Sequence, residues 1–218
     1  MAHLHRIDAS IRQEGSFTRS VADTFQTAWE ETHPTGRVTV RDLGRDPLPY
    51  LTYADHTAQI TPETQRSPEQ RAAIARSTAL VDELLDADAV LLGVPLYNWG
   101  TPATVKTWLD HLFSDPRTRD PEGLFRGRTL VLLNAQGGSY KPGTPRDGWD
   151  HAEPYLRRTL GEVLGFDVHV ITPELTLAEV VPQLAEFIDI HKASLAEAHA
   201  GADTTGRELA RQLATVAA

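Results

Sequence analysis

The sequence predicts an α/β protein, a three-layer sandwich of helices around a parallel five-stranded sheet. Two observations carry this. Five strand-like segments alternate with five helical ones along the chain. Two of those strands, Ala89 to Val94 and Thr129 to Leu133, are unbroken apolar runs, as expected where both faces of a parallel strand are covered. No internal repeat or interdomain linker interrupts the alternation, so one domain is expected over residues 1–200.

Taken in order, Leu4 to Ala9 is a short and rather polar first strand, credible because a loop and a helix follow it. From Thr18 to Thr32, Val21, Phe25, Ala28 and Trp29 share one helical stripe. Arg37 to Asp42 alternates, with Val38 and Val40 on one face, and reads as a strand. Glu69 to Leu85 is the clearest helix, carrying Ile74, Val81, Leu84 and Leu85 on one side. After the central strand Ala89 to Val94, Thr101 is the expected N-cap and Pro102 the first residue of a helix that buries Val105, Trp108, Leu109 and Leu112. Thr129 to Leu133 is the fourth strand, Asp150 to Leu164 a helix with Pro154 in its first turn, and Asp167 to Ile171 the fifth strand. Thr176 and Glu179 have capping-box spacing for a last helix through Val180, Leu184, Phe187 and Ile188. Residues 201–218 are expected to form a helical or loosely ordered tail. Gly44 to Pro68 breaks the pattern: it holds four prolines and no sustained periodicity, and loops of that length tend to be functional or disordered. Tyr50, Leu51 and Tyr53 suggest that it packs against something.

Composition excludes several functions. With 218 residues, the chain should bury roughly 70% of its unfolded surface. It has no cysteine, which excludes disulfides, a thiolate nucleophile, iron–sulfur clusters and cysteine-based zinc sites. A net charge of -9 argues against nonspecific nucleic-acid binding. Met1 to Ser10 holds no apolar signal-peptide core, and Ala89 to Pro95 is too short to span a bilayer, so a cytoplasmic protein with no membrane partner is expected.

Ligands of open parallel sheets bind outside the carboxyl ends of the strands. Three loops fall there. The first, Ser10 to Thr18, lacks the dinucleotide fingerprint and the P-loop, but sets hydroxyls at Ser10, Ser16 and Thr18 beside the free N–H groups of a helix start. A phosphate monoester suits it; helix capping by Ser16 alone explains it as well. The second, Pro95-Leu96-Tyr97-Asn98-Trp99-Gly100, offers aromatic surface and an amide to a planar ligand, or is a rigid turn that caps the core. In the third, Asn134 to Tyr140, Gly137 and Gly138 let backbone N–H groups approach a ligand, or serve a tight turn. No histidine or acidic pattern marks a metal site. Asp147, Asp150 and His151 are read as a helix start rather than a charge relay. With no activated nucleophile, a bound cofactor should supply the chemistry.

The segments HLHRIDASIRQEGSFTR, VTVRDLGRDPLPYL, PLYNWGTPATVKTWLDHL and GGSYKPGTPRDGWDHAEPYLRRTLGEVLG resemble the FMN-dependent NADH:quinone oxidoreductase/azoreductase family of the flavodoxin-like fold over nearly the whole chain. The resemblance implies a five-stranded sheet of order 2-1-3-4-5, FMN and NADH (or NADPH) as cofactors, and two-electron reduction of a flat aromatic acceptor (a quinone, azo or nitro compound) by alternating half-reactions. It assigns Ser10, Ser16, Phe17 and Thr18 to the phosphate, Pro95, Leu96, Tyr97, Asn98 and Trp99 to the isoalloxazine, and Ala135, Gln136, Gly137 and Gly138 to its pyrimidine side. Tyr97, Asn98 and Tyr140 would shape the reacting face. It also implies a homodimer with shared active sites, to which the Gly44 to Pro68 loop would contribute. The family's Ser-Ser after strand one is Ala9-Ser10 here, its Ser-Arg before the glycines is Ala135-Gln136, and its Phe is Trp99. These departures keep two other readings open. One is a relative with weakened flavin binding that acts on a flat substrate without net redox, using Tyr140, Tyr97 or His151 as acid or base. The other is a flavodoxin-like electron carrier.

Overall fold

Strands β1 (His3–Asp8), β2 (Arg37–Asp42), β3 (Ala89–Pro95), β4 (Thr129–Ala135) and β5 (Asp167–Ile171) form one all-parallel sheet. The order is β2-β1-β3-β4-β5, as expected. The computed structural model describes residues 2–216. Helices α1 (Phe17–Thr32) and α6 (Ile188–Val216) cover one face, where Leu4, Val21, Phe25, Trp29, Leu91 and Leu133 pack with Ala202 and Ala210. Helices α3 (Pro68–Asp86), α4 (Ala103–Leu112) and α5 (Glu153–Leu156) cover the other, over Ile7, Leu92 and Leu132. Every residue of β3 is buried, which is why its sequence does not alternate. Among the described residues no helix is long and apolar enough to cross a membrane.

The polar first strand is buried throughout. Its charges are neutralised locally: Arg6 Nε donates to Asp8 (3.0 Å) and Arg6 Nη1 to Asp23 (2.7 Å). Because the chain passes from β1 outward to β2 and then back through α3 to β3, the switch point falls between β1 and β3. The three candidate loops open at that end of the sheet.

Four expectations need correction. Thr101 does not cap α4. Pro102 keeps an extended ψ of 142° and takes the cap position with no side-chain bond, while Thr101 Oγ1 is buried without a partner. The stretch from Gly44 to Pro68 is not featureless: Thr52 and Asp55 form a capping box that starts helix α2 (Tyr53–Ala58). Asp55 then pairs with Arg76 of α3 (2.9 Å), and His111 Nε2 bonds Pro49 O (2.8 Å), pinning the segment down. Yet Tyr50 and Tyr53 point away from the core, 75% and 82% exposed. Thr176 starts no helix; its N–H and Oγ1 both donate to Gln136 O, and the last helix begins at Ile188. The helix expected from Asp150 begins at Glu153 and continues as a π-helical stretch over Arg157–Val163. Residues 201–216 of the expected tail belong to α6, with Ala202, Leu209 and Ala210 buried against α1; residues 217 and 218 lie outside the described ones.

Candidate active site

The first loop leaves β1 at Asp8 and enters α1 at Ser16. Ser16 is the N-cap, its Oγ accepting from Arg19 N–H (3.3 Å). That is the capping role read from the sequence, but the hydroxyl does more: Ser16 Oγ donates to Ser10 Oγ at 2.9 Å, and both side chains are buried. The N–H groups of Phe17 and Thr18 have no acceptor among the described residues. Two hydroxyls and two unpartnered N–H groups at the positive end of a sixteen-residue helix form an anion cradle. The close approach depends on two glycines: a Cβ on Gly44 would sit 2.2 Å from Ser10 O, and one on Gly93 would press on Thr18 Cγ2 at 3.0 Å. The Phe17 ring packs edge-on against His191, with 5.0 Å between ring centroids.

Beneath the cradle lies a charge cluster that sequence reasoning did not anticipate. Arg19 donates to Ser10 O (2.7 Å), Asp8 (3.2 Å) and Asp42 (2.7 and 2.8 Å). Burial pushes the Asp8 carboxyl above its usual range, although Arg6 and Arg19 oppose this. Burial pushes Asp42 the same way, but bonds from Arg19 and the N–H groups of Arg45 and Gly44 hold it below its usual range. Arg12, whose guanidinium lies beside Gly15, lines a cleft of about 470 Å³ with Ser16 and Phe17. A surface arginine in a loop carries no sequence signal, and neither does the reversal of the loop three residues on, at Gly15 (φ +63°).

In the second loop, Tyr97 and Gly100 exchange both backbone hydrogen bonds (3.1 and 3.0 Å), and Asn98 and Trp99 between them have φ of +50° and +63°. This is a type I′ turn made without glycine at its centre. The loop is tied to both neighbours: Ile11 N–H donates to Tyr97 Oη (3.3 Å), Leu96 N–H to Ala135 O (2.8 Å), and His151 N–H to Trp99 O (2.9 Å).

The third loop is fixed from below. Asn134 Nδ2 and Gln136 Nε2 both donate to Asp150 Oδ2 (2.9 and 2.8 Å), whose Oδ1 accepts from Ala152 and Glu153 N–H (2.8 and 3.1 Å). Asp150 therefore braces this loop against the start of α5, which lies three residues after the helix start read from the sequence. Gly137 O and Gly138 O accept from Leu177 and Leu175 N–H (both 3.2 Å), so the segment after β5 straps this loop. Tyr140 is half-buried and shares a cleft of about 310 Å³ with Gln136 and Lys141. Among the described residues no group of histidine and carboxylate side chains is placed to hold a metal ion.

The three loops that carry the predicted residues thus open at the carboxyl end of the sheet, after β1, β3 and β4. The flavodoxin-like fold family matches residues 2–202. The FMN-dependent NADH:quinone oxidoreductase of Frankia casuarinae is 43% identical over 205 residues, covering 93% of this chain and 97% of the relative. The chain belongs to this family. The FMN-dependent NADH:quinone oxidoreductase of Streptomyces avermitilis is 41% identical and is matched over its full length, with 98% of this chain covered. Among solved structures, an azoreductase from Bacillus anthracis str. Sterne superposes with a TM-score of 0.82 at 23% identity, covering 95% of this chain and all of the other, which speaks to the fold alone.

Against the oxidoreductase family pattern, the departures at positions 9, 135 and 136 leave no exposed gap. Ala9 and Ala135 are buried, and the Gln136 amide, in place of arginine, is engaged by Asp150. A charge is lost at 136, whereas Arg12 stands in the cleft beside the cradle.

Proposed function

We propose that this chain is an FMN-dependent reductase that passes two electrons from NADH or NADPH to a flat acceptor, a quinone, azo or nitro compound, by a ping-pong mechanism. The observation that carries it is the cradle. Ser10 and Ser16 hydroxyls, buried but bonded chiefly to each other, and the free N–H groups of Phe17 and Thr18 fit a terminal phosphate. The chemistry that FMN supplies when bound is reversible two-electron transfer, so donor and acceptor need one stacking face, used in turn.

The chain's own residues do the rest. Pro95 to Trp99 supply the wall along a ring, and the reversed turn at Asn98 and Trp99 presents an amide and an indole at its rim. Ala135, Gln136, Gly137 and Gly138 lie opposite, where the two glycines let backbone N–H groups approach a polar ring edge, Gln136 N–H itself being bonded to Pro173 O. Tyr97 Oη already accepts from Ile11, so it joins the phosphate loop to the ring loop, and Tyr140 lines a cleft beside Gln136 of the third loop. Together they orient a flat substrate and exclude water rather than attack it. Tyr50, Leu51 and Tyr53, exposed in one chain, suit burial in a homodimer whose partner closes each site. A reductase that draws on NAD(P)H suits the cytoplasm, where that donor is made and kept reduced.

An absorption spectrum before and after adding FMN tests this. Wild-type protein should take up FMN with quenching of flavin fluorescence. Ser10→Ala with Ser16→Ala should weaken that uptake by about tenfold or more, the loss of hydrogen bonds to a charged group. Unchanged uptake in the double variant would remove the cradle from the phosphate site. Turnover of a flat substrate without FMN and NAD(P)H would favour the non-redox alternative.

A further inference from the structure

Arg146 lies in the segment between β4 and α5, outside every residue used so far. Its Cζ stands 5.7 Å from the centroid of Trp99 and 5.8 Å from that of Trp149. The two indoles meet edge-to-face at 5.5 Å and 80°, and are 39% and 47% exposed. With Asn98, Asp147, Gly148 and His151 they line an open cleft of about 570 Å³.

Of the four carboxylates around this cleft, two are ion-paired and two are held by uncharged donors. Asp147 accepts from Gly143 N–H (3.2 Å), and Asp150 holds Asn134 and Gln136. Glu153 pairs with Arg157 (2.8 Å), and Glu174 with Lys141. Among the described residues no carboxylate lies within ion-pair distance of Arg146. A guanidinium laid against aromatic faces keeps its planar fork of N–H donors free at the edge, a geometry that matches carboxylate and related oxyanions. Trp99 meanwhile holds a left-handed backbone conformation (φ +63°) that L-residues disfavour, so the indole is kept here against local preference.

We propose that Arg146 is a specificity-determining residue that binds a carboxylate or sulfonate carried by a flat acceptor whose ring rests against Trp99. This rests on the reading of the site as a flat-acceptor reductase. The same cation would suit the 2′-phosphate of NADPH, and the test separates the two sources.

FMN-loaded wild type, Arg146→Gln and Arg146→Lys are compared with a naphthoquinone bearing one sulfonate and its neutral methyl counterpart. The ratio of kcat/KM, sulfonate over neutral, should fall about fivefold in Arg146→Gln, the worth of one exposed charge pair. Arg146→Lys should keep part of the preference, and added salt should erode it in wild type but not in Arg146→Gln. A second readout needs no turnover: naphthalene sulfonate should quench tryptophan fluorescence more tightly in wild type than in Arg146→Gln, whereas naphthalene methanol should not discriminate. An unchanged ratio with both quinones reduced overturns the inference. So does a change confined to the NADPH-over-NADH ratio, which assigns the cation to the donor. If neither quinone is reduced, the reductase reading falls, and the fluorescence titration still decides: sulfonate binding lost in Arg146→Gln upholds the anion site, and equal binding overturns it.

Discussion

Trp99 occupies the turn position at which glycine is preferred, with φ at +63°. Replacing it therefore separates ring from backbone. Trp99→Ala removes the indole and keeps the strained conformation, whereas Trp99→Gly removes the indole and relieves the strain. The glycine variant should be the more stable of the two by about 1 kcal/mol in urea unfolding, even though glycine ordinarily loses to alanine. Both should raise KM for a flat acceptor. Equal midpoints, or a more stable alanine variant, would show that the turn relaxes elsewhere. At this scale the sequence made the aromatic loop legible, because Tyr97, Asn98 and Trp99 cluster after an apolar strand. It did not show the turn type, since Asn-Trp is not a turn signature. Nor did it reveal Arg12 and Arg146, because an exposed arginine looks the same whether it faces solvent or a cleft.

Strand β1 shows how an element can be polar and central at once. His3 Nε2 and His5 Nδ1 both reach Thr39 Oγ1 of β2 (2.7 and 2.8 Å), so one hydroxyl serves a nitrogen of each ring, while His5 Nε2 stays buried without a hydrogen-bond partner. Burial, with smaller pushes from His3, Arg41 and Arg37, lowers the His5 pKa from 6.5 to about 4, against the pull of Glu83. The folded protein therefore binds fewer protons than the unfolded chain between those values. Its full contribution to stability is present above pH 6.5 and is lost progressively as pH falls to about 4, by about 3 kcal/mol at most. Urea midpoints measured across that window should fall with pH, and His5→Gln should flatten the slope whatever it does to stability at neutral pH. Identical slopes would mean that His5 titrates normally. Strand positions were legible at the edges as well as at the centre: β2 and β5, edge strands with no fully buried residue, coincide with the predicted ranges. The misreadings have a common physical source. Thr176 had the right spacing for a cap, but Gln136 O claimed its donors. Conversely, the Thr52 and Asp55 spacing that does start α2 was present in the sequence, hidden among four prolines.

For the whole molecule, alternation of elements was enough to predict the sheet, because parallel strands need crossover helices and the connections have few alternatives. What alternation cannot register is a surface that one chain leaves bare. Tyr50, Tyr53 and Ile60 are 75%, 82% and 78% exposed on a segment that Asp55, Arg76 and His111 hold in place. A pinned segment with bare aromatics loses little entropy on association, and a stable interface needs about 800 Å² from each partner. Wild type should accordingly run at the mass of two chains in light scattering. Tyr50→Ser combined with Tyr53→Ser should shift it to the mass of one while leaving the helical circular dichroism intact, because neither ring supports the fold of its own chain. Quinone reduction should fall with the dimer if the partner completes the site, and should recover as protein concentration restores association. A monomeric wild type, or a double variant that remains dimeric, would move the interface away from this segment and leave its exposed rings without a role in assembly.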